Sequence, residues 1–149
     1  MAAYFLDTSA VVKRYVQETG TAWVQALTAP SAAHSLFVVR ITLAEAVAAV
    51  TRRERVGSLS PADAATALAD FHHDFAQQYL TVEVTAGLVA HAAALARHRA
   101  LRGYDAVQLA AALAIRVQVP ALTLVSADGD LNSAAIAEGL LVEDPGSHP

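Results

Sequence analysis

Four acidic residues, Asp7, Glu45, Asp105 and Asp128, are placed to do chemistry together. Asp7 directly follows the apolar run Tyr4-Phe5-Leu6, and Asp128 comes just after Leu122-Thr123-Leu124-Val125. Glu45 and Asp105 fall in the first turns of predicted helices. In a chain that alternates strands with helices, a helix N-terminus follows the carboxyl end of a strand. All four acids can therefore project toward one sheet edge, where such folds bind ligands. Carboxylates gathered in one cleft repel one another and raise each other's pKa. A divalent cation relieves that repulsion. The chain has no cysteine, and neither the His72-His73 pair nor His91 and His98 have acids at a ligand spacing. Ligation by oxygen alone selects Mg²⁺ or Mn²⁺ over zinc.

Each acid also has a purely structural reading. Asp7 can cap the helix that follows it. Glu45 stands three residues after Thr42, the spacing of a capping box. Asp105 suits the positive end of a helix dipole, and Asp128-Gly129 is turn chemistry. What these readings leave unexplained is that all four acids fall at the same edge.

The elements that must position the acids follow from periodicity and punctuation. A short buried strand ends at Asp7, and Thr8 or Ser9 is expected to cap a helix running to Gln17. A second helix covers Thr21 to Ala29, ahead of Pro30. Ser35 to Val39 reads as a strand and Thr42 to Arg55 as a helix. Ser60-Pro61-Ala62-Asp63 opens a helix to Gln78 with proline at its first position; Leu68, Phe71 and Phe75 form an apolar stripe on it, suited to the core or a dimer contact. Leu80 to Val84 alternates as a strand, and Thr85 caps a helix over Ala86 to His98. Arg102-Gly103-Tyr104-Asp105 opens the helix Ala106 to Val117. Leu122 to Val125 is a strand, Leu131 to Glu138 a helix, and Leu140 to Val142 a last strand. This alternation implies a parallel sheet covered by helices on both faces. One domain over residues 1–144 is expected, followed by a frayed tail, 145–149.

Composition narrows the function classes. With 149 residues and 55% hydrophobic content the chain can bury a sizeable core. No apolar stretch reaches membrane-spanning length, and no signal-peptide pattern opens the chain, so a cytoplasmic protein is expected. The net charge of −4 argues at first against nucleic acid. With four of the fourteen acids set aside as ligands, however, the rest balance the ten basic residues. Lys13-Arg14 and Arg97, Arg99 and Arg102 lie close in sequence to Asp7 and Asp105, where phosphate contact is reasonable. Tyr15 and Trp23 read as packing residues.

Leu6-Asp7-Thr8-Ser9-Ala10, Thr42-Leu43-Ala44-Glu45-Ala46, Tyr104-Asp105-Ala106-Val107-Gln108-Leu109-Ala110 and Val125-Ser126-Ala127-Asp128-Gly129-Asp130-Leu131 resemble the four acidic motifs of the PIN domain, in the family's order. The resemblance covers nearly the whole chain and is greatest to VapC-type toxins. It implies a three-layer α/β/α fold with a central parallel sheet, and a metal-dependent endoribonuclease that hydrolyses RNA phosphodiester bonds. It also implies a homodimer and a VapB-type antitoxin partner. By the match, Asp7, Glu45, Asp105 and Asp128 are the catalytic, metal-holding acids. Ser126 stands at a supporting position beside Thr8 and Ser9, and Asp130 competes with Asp128 as the fourth acid. An aspartyl-phosphate enzyme would need an acid where Ser9 stands. A PIN nuclease of RNA maturation and a non-catalytic RNA- or partner-binding PIN module are the competing readings.

Overall fold

Short segments of three to five mostly apolar residues form the five strands: β1 (Ala3–Leu6), β2 (Ser35–Val39), β3 (Leu80–Val82), β4 (Thr123–Val125) and β5 (Leu141–Glu143). A computed structural model describes residues 1–149. The strands pair in parallel in the order β3-β2-β1-β4-β5, with Phe5 opposite Phe37 on one side and Leu124 on the other. Seven helices connect them: α1 (Thr8–Tyr15), α2 (Thr21–Thr28), α3 (Thr42–Arg55), α4 (Pro61–Gln77), α5 (Ala86–Arg99), α6 (Gly103–Gln118) and α7 (Gly129–Ala137).

Because side chains alternate along a strand, the continuous apolar runs feed two cores at once. Leu6, Leu36, Val38 and Val125 point to one face and pack with α1, α3 and α4. Phe5, Val39 and Leu124 point to the other and pack with α5, α6 and α7. This is the expected three-layer α/β/α arrangement. Phe71 and Phe75 lie in the first core, with Leu68 packed against it. Phe71 and Phe75 of the α4 stripe are therefore spent inside the chain, and Leu68 is partly exposed at its edge. Val24 and Leu27 of α2 are buried in the same way. No helix is long and apolar enough to cross a membrane.

Ser60 and Thr85 cap α4 and α5 as predicted, accepting the Asp63 and Leu88 amides at 3.1 Å each. Two other caps differ. α1 is capped by Asp7 itself, so Thr8 and Ser9 fall inside its first turn and their hydroxyls are free for other partners. α3 has no side-chain cap: Ile41 holds that position in helical conformation, and Thr42 is already the first helical residue. α6 and α7 begin earlier than predicted, at Gly103 and Gly129, because an amphipathic pattern does not register the first turn of a helix.

The chain end also differs from the frayed tail expected of Pro145–Pro149. Pro145–Ser147 form a 3-10 turn with Pro145 buried. His148 stacks on Trp23 at 4.3 Å between ring centroids and lies 3.1 Å from Glu143. The Gly20 backbone, at φ +89°, comes so near Pro145 that an added Cβ would stand 2.4 Å from its carbonyl oxygen. Local composition does not reveal the contacts to Gly20 and Trp23, which are long-range.

Candidate active site

From β1 the chain builds outward to β2 and β3, and from β4 it builds the other way to β5. The crevice beyond the carboxyl ends of β1 and β4 is thus the switch point of the sheet, the place where open α/β sheets bind ligands. Asp7 leaves β1 into this crevice, and Asp128 lies in the loop that leaves β4.

Asp7 is 4% exposed. Its Oδ1 accepts the Ser9 hydroxyl at 2.6 Å and the Ala10 amide at 3.2 Å. Burial pushes its pKa up to about 7; the nearby charges of Asp128 and Asp105 add to the rise, and the two hydrogen bonds oppose it. Asp7 is therefore a helix cap and, at the same time, a carboxyl whose charged form the site disfavours. Ser9 in turn accepts the Ala127 amide at 2.9 Å, which ties the end of β1 to the loop after β4.

Glu45 does not form the capping box that its spacing suggested. Its Oε1 accepts the Thr8 hydroxyl and the Gln108 amide, both at 2.9 Å. The Thr42 hydroxyl turns to Gln108 at 3.0 Å rather than to its own helix. Asp105, partly buried in the first turn of α6, has its pKa raised by burial and then by Asp128, with Arg102 opposing and Glu45 and Asp130 adding smaller contributions. Asp128 caps α7, accepting the Leu131 amide at 3.0 Å. Arg102 reaches Asp105 at 3.6 Å and Asp128 at 3.8 Å, although its side chain is 82% exposed.

Asp7 thus feels the charges of Asp105 and Asp128, and Asp105 those of Asp128 and Glu45, but no three of the four acids stand close enough to form a ready-made ion cage. Their fit to a hard divalent cation rests on chemistry: carboxylate oxygens only, one of them buried among like charges, with one exposed guanidinium as the cation at hand. Asp130 lines a separate hollow between α5 and α7 with His98 and Ser133, and Asp128 is the loop acid that faces Asp7. Ser126, fully buried, shapes that loop: its hydroxyl accepts the Asp128 amide at 3.1 Å, and its carbonyl accepts Asn132 Nδ2 at 2.8 Å.

A cleft of about 740 Å³ opens beside the acids, lined by Thr8, Ser9, Lys13, Glu45, Arg52 and Tyr104 among others. Of the four acids only Glu45 lines it. Lys13 meets Glu18 at 3.6 Å in the cleft, and Arg53 meets the same acid at 2.6 Å, while Arg52 has no acidic partner. The other basic residues expected here lie elsewhere. Arg14 turns away to Asp74 at 3.3 Å and Tyr79 at 3.1 Å, in a network that Tyr15 joins through its hydroxyl. Arg99 pairs with Glu138. His72, His73, His91 and His98 are exposed on α4 and α5, outside any metal-binding group.

Sequence reasoning missed Gln108 and the role of Thr42. Gln108 did leave a signal: it is a lone amide inside Ala106-Val107-Gln108-Leu109-Ala110-Ala111-Ala112-Leu113, a run otherwise apolar.

Known proteins share this fold. A family profile described as PIN domain matches residues 4–137. A protein named Ribonuclease VapC45, from Mycobacterium tuberculosis, is 37% identical over 142 residues, covering 95% of each chain. Among solved structures, PAE2754 from Pyrobaculum aerophilum superposes with a TM-score of 0.65 at 20% identity, covering 95% of this chain and 83% of that one. VapBC2 from Rickettsia felis, solved bound to a DNA fragment from its promoter, gives 0.62 at 16% identity, covering 95% and 98%.

Proposed function

The chain belongs to the PIN-domain family, and on that premise we propose that it is the endoribonuclease toxin of a VapBC-type pair. One observation carries the reading: a buried carboxylate, Asp7, faces two further acids at the switch point of the sheet, beside a cleft that holds Lys13 and Arg52. The 37% identical relative named as a ribonuclease supports RNA as the substrate.

Asp7, Glu45, Asp105 and Asp128 would hold Mg²⁺ or Mn²⁺. Such an ion, when bound, lowers the pKa of a water and offsets charge on the scissile phosphate. The rest is the work of the protein's own groups. Ser9 and Thr8 keep one oxygen each of Asp7 and Glu45 fixed. Lys13 and Arg52 supply positive charge along the cleft for the RNA backbone. No side chain is needed as a nucleophile. Ser9, two residues after Asp7, stands where an aspartyl-phosphate enzyme needs an acid, and its hydroxyl is already spent on Asp7.

The partners that go with this reading are a VapB-type antitoxin and a second copy of the chain, in the cytoplasm. Sedimentation over a range of concentrations tests the dimer; a monomer throughout would remove it. The activity is tested by cleavage of structured RNA with Mg²⁺, using antitoxin-free parent and a folded Asp105→Asn variant. The variant is expected to lose cleavage, and parental cleavage by it would overturn the acidic-site reading.

A further inference from the structure

Gln108 lies on α6 one turn beyond Asp105 and is 2% exposed. Its Nε2 stands 2.9 Å from Glu45 Oε1, 3.0 Å from Thr42 Oγ1 and 3.2 Å from Thr8 Oγ1. One buried amide thereby joins α1, α3 and α6. A carboxylate can only accept, so Glu45 fixes which end of the amide faces it. The other end, Oε1, is buried and accepts no hydrogen bond from the protein.

An amide carbonyl left unpaired in the interior costs free energy that an apolar side chain of similar length would avoid. A residue serving only to pack α6 would be better as methionine. What the amide gains is a hold on Glu45. Both donors to that carboxylate, Thr8 and Gln108, converge on Oε1. That pins its rotation and leaves Oε2 as the free donor atom.

We infer that Gln108 is a positioning residue for the divalent-cation site, acting through Glu45. The inference rests on the acidic-site reading above. Groups that orient a ligand from behind typically change metal affinity about 10–100-fold when lost.

The test is Mn²⁺ titration calorimetry without RNA, with thermal unfolding and steady-state cleavage on the same proteins. Gln108→Met keeps length and burial but removes the donor; it is expected to bind Mn²⁺ at least about tenfold more weakly and to lose kcat with KM for RNA unchanged. Thr42→Val breaks the same network without touching Glu45, so it is expected to keep parental Mn²⁺ affinity whatever its stability. Glu45→Gln should weaken Mn²⁺ binding, and adding Gln108→Met to it should weaken binding no further. Should Gln108→Met fail to fold, Gln108→Asn withdraws the amide by one methylene and is expected to give the same loss. Parental Mn²⁺ affinity in a folded Gln108 variant overturns the inference, as does equal loss in Thr42→Val. Parental affinity in Glu45→Gln removes the acidic-site reading and this inference with it.

Discussion

Ser9 Oγ lies 2.6 Å from Asp7 Oδ1 and also accepts the Ala127 amide, so one hydroxyl both holds the buried acid and ties it to the loop carrying Asp128. Thr8, its neighbour in the first turn of α1, holds Glu45 in the same way. Two consecutive hydroxyls thus orient two acids from different elements.

Removing the first of these should be felt at Asp7. Ser9→Ala deletes a hydrogen bond that favours the charged carboxylate, so Mn²⁺ affinity is expected to fall. Stability should drop by about 1–3 kcal/mol, the cost of leaving a buried polar group without its partner. Ser9→Thr keeps the hydroxyl and should restore affinity. Calorimetry and urea unfolding check both; parental affinity in Ser9→Ala would detach Ser9 from the site.

The raised pKa of Asp7 predicts how metal-free stability depends on pH. Asp7 holds its proton up to about pH 7 in the folded chain, against an ordinary value of 3.8. Between those values the folded state binds more protons than the unfolded one, so stability falls as pH rises from about 4 to 7. At about 1.4 kcal/mol per unit, the loss is at most roughly 4 kcal/mol. Asp7→Asn keeps the cap, since asparagine caps as well as aspartate, and should flatten this dependence and raise neutral-pH stability while abolishing cleavage. Urea unfolding of both proteins at pH 5 and pH 8 without divalent ions is the measurement. A parent no less stable at pH 8 would contradict it.

Arg102 offers a separate check on the electrostatics. Its contacts to Asp105 and Asp128 are long and its side chain is exposed, so Arg102→Ala should change stability by no more than about 0.5 kcal/mol. Losing the guanidinium makes the acids a stronger field for cations. Mn²⁺ affinity is therefore expected to rise and RNA affinity to fall. Unchanged values for both ligands would show that Arg102 does not act on the site.

The packed chain end predicts a defect far from any acid. Gly20→Ala would place a Cβ against the Pro145 carbonyl, at a backbone conformation that L side chains rarely adopt. A stability loss of about 1–3 kcal/mol is expected, with the tail released from α2. Quenching of the single tryptophan, Trp23, reports release of His148; parental stability and fluorescence would refute the docking.

Much of this protein was readable from local chemistry. Apolar runs bounded by turns marked the strands, and Ser60 and Thr85 announced their caps, because capping and periodicity act within a few residues. The four acids stood out at element ends for the same reason. Which groups meet is a different matter, set by contacts between residues distant in sequence. The strand order β3-β2-β1-β4-β5 brings Asp7 beside the loop of Asp128. Thr42 lies at a capping spacing yet turns to Gln108, because a buried amide 66 residues away competes for its hydroxyl. Lys13 enters the cleft while Arg14, the next residue, is captured by Asp74 and Tyr79 on the far side of α1. The sequence alone determined the alternation of elements and the supply of carboxylates at one edge. Only the tertiary structure decided which hydroxyls and which amide hold them, because a side-chain hydrogen bond depends on where its partner lies in space.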